Sequence, residues 1–434
     1  MTSFERFETR LPAMLDDLAV PRLPDYADDL FARTAATRQR PGWTFPERWL
    51  PMSVVTRTLA AAPRIPWRLG ALAALLAVAA LIAVLVVGSI VKERPAPYGP
   101  AGNGQILFLN SAGQIVVGDP ATGTTTTLVS SGPGISNPIF AQDGTRFAFI
   151  QPTTHGLGLF VGNLGGGTPV DVSTSGFSTP TYLGWSGRGD HILMVDAGGV
   201  MLLFDPARPG PGTNLSDLVK VGPVEIGPSY NFNSTHAFRP PLGDEIVFVD
   251  RSRNELVAVQ ADGTKPRVLL NKATSAVRYD RIIGAEWSPD GSQLLLMLEL
   301  PDESSIWGLF VLSADGTGLH RLGNNPLDGY NSPKWSPDGT KVGFQYWTNN
   351  ADGTLGFHGI GVLDLKTGSV RDLGPQQVNG FTTWAWSPDG LSILELPGDG
   401  SNKMHIVNVT TGESTTTPWT SEDPINWQRV APAR

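Results

Sequence analysis

A short motif recurs through the C-terminal part of the chain: an aromatic residue, a turn of the type Ser-Pro-Asp-Gly, and an apolar segment. The clearest copies lie at 285–297, 333–344 and 384–396, and weaker copies lie at 139–150, 183–195 and 237–249. With a tryptophan near the C-terminus, the aromatic anchors are Phe140, Trp185, Phe238, Trp287, Trp335, Trp386 and Trp427. Successive anchors are separated by 45, 53, 49, 48, 51 and 41 residues. This period constrains the fold strongly, because each copy has to form the same supersecondary unit.

Each copy has the pattern of four short antiparallel strands. One apolar segment ends at the anchor, and after Trp287 the turn has Pro289 at its second position and Gly291 at its fourth, as type I turns prefer. Two further strands meet at a hairpin, here at Asp315-Gly316, and a fourth strand closes the unit. Four antiparallel strands in about 45 to 50 residues are typical of one propeller blade.

The two ends of the repeat region complete each other. Residues 105–130 hold three strand-like segments without an anchor strand before them, whereas residues 425–430 form an anchor strand alone. Joining them makes a complete blade and removes the two open sheet edges of an unclosed array. The sequence therefore predicts an all-β, seven-bladed β-propeller over residues 105–434. A six-bladed ring is the alternative if the copy at Phe238 is an insertion, and a β-sandwich fits the regular spacing less well.

The WSPDG turn, with the apolar strand and the later Asp-Gly or Thr-Gly hairpin, resembles the propeller repeat of TolB and its relatives. These relatives include the propellers of prolyl-oligopeptidase-type enzymes. The resemblance covers about 325 of the 434 residues and is strongest at Trp287, Trp335 and Trp386. It implies the fold, and propellers of this kind serve in binding, scaffolding and gating.

Residues 69–91 form an uncharged, apolar stretch before the repeats. As a helix this stretch would be about 34 Å long, enough to cross the hydrocarbon core of a bilayer. A buried core helix is the alternative, but the stretch has no polar face. We therefore expect one transmembrane helix, preceded by a short, partly helical tail (1–68) and followed by a Pro/Gly-rich stalk (92–104).

The charges on the two sides of this predicted span differ. Between Arg33 and Arg68 there are seven arginines and one acidic residue, whereas residues 95–434 have a net charge of −11. The positive-inside rule places the tail in the cytoplasm and the propeller outside. The expected location is the plasma membrane of a bacterium, with a single pass and an extracytoplasmic propeller.

An aromatic strip in the tail contains Trp43, Phe45, Arg48 and Trp49 among prolines. These residues fit an anchor in the lipid headgroup layer, and the alternative is a docking peptide for a cytoplasmic protein. The layout of tail, span and outer domain resembles that of bacterial membrane-bound anti-sigma factors. The tail differs from their common zinc-binding form because it has neither histidine nor cysteine.

No catalytic or ligand-binding motif is found in the sequence. The chain has no cysteine, and its histidines lack metal-ligand spacing: His155, His191, His236, His320, His358 and His405. The nearest approach to a nucleophile elbow, residues 184–188, has arginine in place of the last glycine. The acidic propeller has no cluster of Lys and Arg for nucleic acid. We therefore expect no cofactor, no metal, no nucleic-acid partner and no enzymatic activity.

The function predicted from the sequence is that of a membrane-anchored propeller that binds a protein, peptide or glycan outside the cell. The alternative is a transmembrane signalling regulator of anti-sigma-like layout. In that case the propeller would be the sensor, and the tail would contact a cytoplasmic protein. The repeated aspartates of the Ser-Pro-Asp-Gly turns are assigned to turn formation rather than to calcium.

Overall fold

The computed structural model describes residues 96–130, 132, 134–226, 237–241, 243–301, 307–322, 328–349, 355–373, 383–397, 400–422 and 425–431. These residues form 28 β-strands and one short α-helix. The strands are arranged in seven antiparallel sheets of four strands each.

The first sheet contains β1 (Gly102–Leu109), β2 (Ile115–Gly118), β3 (Thr125–Val129) and the C-terminal strand β28 (Asn426–Val430). The next three sheets contain β4 to β7 (Ser136–Phe140, Arg146–Thr153, Gly156–Asn163, Val170–Asp171), β8 to β11 (Pro180–Trp185, Ile192–Asp196, Met201–Phe204, Thr213–Asn214) and β12 to β15 (Val224–Glu225, Glu245–Asp250, Glu255–Gln260, Arg267–Leu270). The last three contain β16 to β19 (Arg281–Trp287, Gln293–Glu299, Trp307–Ser313, His320–Arg321), β20 to β23 (Asp328–Trp335, Lys341–Asn349, Leu355–Asp364, Val370–Asp372) and β24 to β27 (Thr383–Trp386, Ser392–Leu396, Lys403–Asn408, Ser414–Thr420). The helix, α1 (Leu215–Val219), follows β11.

Each sheet is one propeller blade. In six of the seven blades the strands are paired in chain order, as in β16-β17-β18-β19, and in the first blade β28 precedes β1. The first strand of a blade contacts the first strand of a neighbouring blade at several places around the ring, for example β4 with β8 and β24 with β28. Apolar side chains from adjacent blades pack together, so the core is divided into clusters between the blades. The seven-bladed propeller predicted from the repeats is confirmed.

The aromatic anchors lie at the ends of the inner strands. Five of them are the last residue of such a strand: Phe140, Trp185, Trp287, Trp335 and Trp386. The following turn forms as predicted, since the Gly291 N–H donates to the Ser288 carbonyl at 2.9 Å and Gly291 has a φ of +69°. A side chain at Gly291 would also collide with the Pro240 carbonyl of the preceding blade.

The turn aspartates are held by the turns themselves. Asp290 Oδ1 accepts hydrogen bonds from Ser288 Oγ at 2.6 Å and from the Ser292 N–H at 3.0 Å. Partial burial would raise the pKa of Asp290, but the hydrogen bonds from Ser288 and Ser292 outweigh it and lower this pKa. Asp338 and Asp389 accept the equivalent bonds. The structure thus confirms that turn formation accounts for these carboxylates.

The copy at Phe238 belongs to the ring. Phe238 forms a β-bridge with Ile246 of β13, while β12 pairs with the other end of β13 at Val249 and Asp250. Phe238 is fully buried, as an anchor should be. The residues around Phe238 therefore continue the inner edge of the fourth blade, and the six-bladed alternative is wrong.

The ring closes through β28, which pairs antiparallel with β1 over Gly102↔Val430 to Leu107↔Asn426. Trp427 Nε1 donates to the Gly104 carbonyl at 3.1 Å. A chain segment from the C-terminus thus supplies the inner strand of the first blade, as the incomplete repeats at the two ends predicted.

The predicted tail (1–68), the predicted span (69–91) and the strip with Trp43, Phe45, Arg48 and Trp49 lie outside the described residues. Within the part of the chain that the structure describes, no helix is long and apolar enough to span a membrane.

Candidate functional site

The ring has an axial cavity at the end of the inner strands that carries the Ser-Pro-Asp-Gly turns. Its volume is about 140 Å³, and its lining includes Tyr98, Phe140, Trp185, Lys334, Trp386 and Arg429. These residues come from most of the blades and from the segment that precedes β1. The sequence predicted the aromatic anchors but not which of them share a cavity.

Tyr98 fills part of this axial cavity. Its side chain is buried, and its ring lies so close to Gly187 that a Cβ there would be 2.5 Å from a ring carbon. Arg429 Nη2, on the closing strand, donates to the carbonyls of Ala96 at 3.0 Å and Gly99 at 2.5 Å. Residues 96–101, which are part of the predicted stalk, therefore dock against the ring at its axis. The stalk boundaries themselves stay a prediction.

Truncating the tyrosine tests how firmly this segment is docked. We expect Tyr98→Ala to lower the free energy of unfolding by about 2–4 kcal/mol, because it removes a buried ring from a packed site. Pro100→Ala, at an exposed position of the same segment, is the control and should change stability little. Chemical denaturation measures both variants. Equal stability of Tyr98→Ala and the control would show that the docking contributes nothing.

Two buried groups of opposite charge lie next to the axis. Glu286 and Lys334 directly precede the anchors of the fifth and sixth blades, and both are almost fully buried. Glu286 Oε1 accepts the Trp335 N–H at 2.7 Å, and Lys334 Nζ donates to the Trp384 carbonyl and lies over the ring of Trp384. Burial raises the pKa of Glu286 and lowers the pKa of Lys334, and the attraction between the two opposes both shifts. Both groups connect inner strands of neighbouring blades.

A third buried ionisable group, the carboxyl of Glu395 on β25, should make the stability of the chain depend on pH. Burial raises its pKa from 4.5 to about 7, so the folded chain keeps a proton that the unfolded chain releases near pH 4.5. Stability supplied by this group is therefore lost as pH rises from 4.5 to 7. Glu395→Gln should remove this loss and make the chain more stable at pH 8 by up to about 3 kcal/mol, with little change at pH 4.5. Denaturation across this pH range measures it, with the exposed Glu413→Gln as control; a parallel pH dependence of all three chains would refute the assignment.

A larger groove lies at the opposite end of the inner strands. It has a volume of about 730 Å³ and is formed by the turn after β13, the start of β16 and the middle of β20. We call it the arginine groove, and its polar lining includes Arg251, Arg253, Lys272, Asp280, Arg281 and Asn331. Arg281, which lines the arginine groove, begins β16, and Trp287, next to the turn at the axial cavity, ends it. The arginine groove and the axial cavity therefore lie at opposite ends of the inner strands.

The arginines of this groove are oriented by carboxylates that are more buried than they are. Arg251 is 49% exposed and its Nε donates to Glu225 at 2.9 Å, where Glu225 is 16% exposed. Arg281 is 61% exposed and its Nε donates to Glu299 at 3.0 Å. Arg253, 59% exposed, lies 3.7 Å from the fully buried Asp250. Each guanidinium is thus held by a carboxylate on its buried side, while the rest of the group is exposed to solvent.

The floor of the arginine groove contains a buried amide. Asn331 is 1% exposed, and its Oδ1 accepts the N–H of Ser332 at 2.8 Å, which fixes the orientation of the amide. Ser332 has a positive φ of 48° at a β-bulge of β20. Asn331 Nδ2 has no hydrogen-bond partner among the described residues. The lining of the groove therefore contains a buried donor that has no protein partner in the described part of the chain.

Metal-ligating side chains do not gather in threes anywhere in the described residues. Four histidines of the described residues lie in separate blades: His155, His191, His320 and His405. Sequence reasoning missed the arginine groove entirely, because its residues come from three blades and follow no repeat position.

No family model matches the chain, and no curated protein matches it. Among solved structures, TolB from Acinetobacter baumannii is 13% identical, covers 76% of this chain and 68% of its own, and has a TM-score of 0.45. The chain is a seven-bladed propeller similar in fold to TolB. A second similar structure is an oligogalacturonate lyase in complex with manganese, 13% identical over 75% of this chain and 85% of its own, with a TM-score of 0.48. A third is a Mycobacterium tuberculosis puromycin-hydrolysing peptidase, 14% identical over 76% of this chain and 56% of its own, with a TM-score of 0.48.

The prediction that this propeller is not an enzyme is wrong. It was drawn from missing sequence motifs, yet the similar structures include a lyase and a peptidase that share the propeller fold. The physical reason is that catalytic groups are defined by their geometry and not by their spacing along the chain. In a propeller, residues from different blades meet at the ring, so the sequence spacing does not exclude catalysis.

Proposed function

We propose that the chain is a membrane-anchored propeller that binds a protein, peptide or glycan outside the plasma membrane of a bacterium. The arginine groove is the observation that supports this function most. It is larger than the axial cavity, and its charged side chains are already held in place by Glu225, Asp250 and Glu299. Preformed sites of this kind cost less ordering entropy when a ligand binds.

The proposed membrane anchor rests on the uncharged stretch at 69–91, and its orientation rests on the excess of arginine before that stretch. Protease treatment of intact cells tests the orientation. We expect the propeller to be degraded or released while residues 1–68 stay protected. Protection of the propeller in intact cells would reverse the orientation.

The binding function is tested by cross-linking the full-length chain to its surroundings in intact cells. We compare the wild type with Arg251→Gln/Arg281→Gln and with Arg208→Gln, whose arginine is 89% exposed and lies outside the groove. A ligand retained by the wild type and the control but lost in the groove variant supports the proposal. Recovery of a cytoplasmic protein that depends on residues 1–68 and not on the groove would instead support the signalling alternative.

A further inference from the structure

The arginines of the groove have one edge occupied and one edge available. In both Arg251 and Arg281 the Nε–H donates to a carboxylate, and among the described residues neither guanidinium has a further hydrogen-bond partner at Nη1 or Nη2. The two terminal nitrogens of a guanidinium form a planar fork that matches the two oxygens of a carboxylate. Because their stems are held by Glu225 and Glu299, the forks lose little freedom when they bind.

The remaining polar groups of the groove favour the same kind of ligand. Lys272 lies 4.0 Å from Asp280, and the three arginines are paired with Glu225, Asp250 and Glu299, so the charges of the groove balance and its preference rests on the direction of its donors. Arg253 adds a third exposed guanidinium, and Asn331 Nδ2 adds a buried donor on the floor. The groove therefore presents donors at its rim and at its floor.

The negative charge of the rest of the propeller restricts where an acidic ligand can bind. Residues 95–434 carry a net charge of −11, so most of the propeller surface repels an acidic ligand. Favourable contacts are concentrated where Arg251, Arg253 and Arg281 are exposed. Arginine is enriched among the residues that dominate protein interfaces, and a buried amide donor suits a peptide carbonyl.

We propose, building on the binding function above, that the arginine groove recognises an acidic segment of a partner protein. Its carboxylates pair with the terminal nitrogens of Arg251 and Arg281, and a main-chain carbonyl accepts from Asn331 Nδ2. The specificity lies in the planar forks and not in positive charge alone.

The test is a titration of the full-length chain in detergent with three probes: an oligoglutamate peptide, an oligogalacturonate and inorganic phosphate. We expect the peptide to bind most tightly, with an affinity that falls as salt rises. Arg251→Gln and Arg281→Gln should each weaken binding about tenfold, and the double variant about a hundredfold. Arg281→Lys keeps the charge but not the fork and should also weaken binding, whereas Arg208→Gln should bind as the wild type does.

Each other outcome overturns the proposal. Tighter binding of the oligogalacturonate would assign the groove to an acidic glycan, and equal binding of inorganic phosphate would make it a general anion site. Unchanged binding by Arg281→Lys would show that the groove recognises a positive charge and not the planar fork of the guanidinium. Circular dichroism confirms that each variant is folded. If the cross-linked ligand depends on the groove but has no acidic segment, the binding function stands and only the acidic-peptide assignment fails.

Discussion

A chain that ends at Pro424 is expected to lose the cooperative unfolding transition of the propeller. Such a chain lacks β28, so β1 becomes an open edge and the first blade has no inner strand. Six side-chain hydrogen bonds between described residues also disappear, among them those from Trp427 to Gly104, from Gln428 to Gly144, and from the Phe140 N–H to Asn426.

The expected loss is comparable to the whole stability of a domain. Removing a buried tryptophan costs about 3–5 kcal/mol, and each lost hydrogen bond costs about 1 kcal/mol. Together with the lost strand pairing, this reaches the range of about 5–15 kcal/mol that keeps domains folded. A chain ending at Ala431 keeps β28 and is the matched control. Thermal unfolding followed by circular dichroism measures both, and a cooperative transition in the shorter chain would show that the ring does not depend on closure.

Replacement of Lys334 by methionine should change how the stability of the ring depends on pH, because burial lowers the pKa of Lys334 from 10.5 to about 7, so that this lysine loses its proton in the folded chain at a pH where the unfolded chain keeps it. Burial already raises the pKa of Glu286 from 4.5 to about 8, and the charge of Lys334 counteracts that rise. Without Lys334 the pKa rises further. The raised pKa of Glu286 makes the folded chain lose stability as pH rises from about 4.5 through this pKa, whereas the lowered pKa of Lys334 makes it gain stability as pH rises above 7. The variant keeps only the first effect, so between pH 7 and 8 it should lose about 1 kcal/mol more stability than the wild type does.

The double variant Glu286→Gln/Lys334→Met separates the charge from the packing. It removes both ionisable groups, so the steep pH dependence should disappear while the apolar volume stays similar. Urea denaturation at pH 5, 6, 7 and 8 measures the three chains. An equally steep pH dependence of the double variant would mean that Glu286 and Lys334 are not its source.

The fold could be predicted from the sequence because the repeat encodes it locally. Turn geometry fixed the positions of proline and glycine around Trp287, and the unmatched segments at the two ends indicated how the ring closes. Even Phe238, in a degraded copy, keeps the property that matters, an aromatic side chain buried at the inner edge of its blade.

The two openings could not be predicted in the same way. Tyr98 lies in a segment whose prolines and glycines suggest an extended linker, and its docking depends on Gly187 and Arg429, which are distant in the sequence. The arginine groove depends on how the fourth, fifth and sixth blades meet. Arg251 and Arg281 occupy no equivalent position in their repeats, so no periodic pattern indicated them.

The most direct test of the binding site is hydrogen exchange of the full-length chain with and without the oligoglutamate peptide. We expect the peptide to slow exchange at residues 251–254 and 281–283, while the turns at 288–291 and 336–339, at the other end of the inner strands, exchange as before. Slower exchange at these turns, or no change at 251–254 and 281–283, would contradict the assignment of the arginine groove as the binding surface.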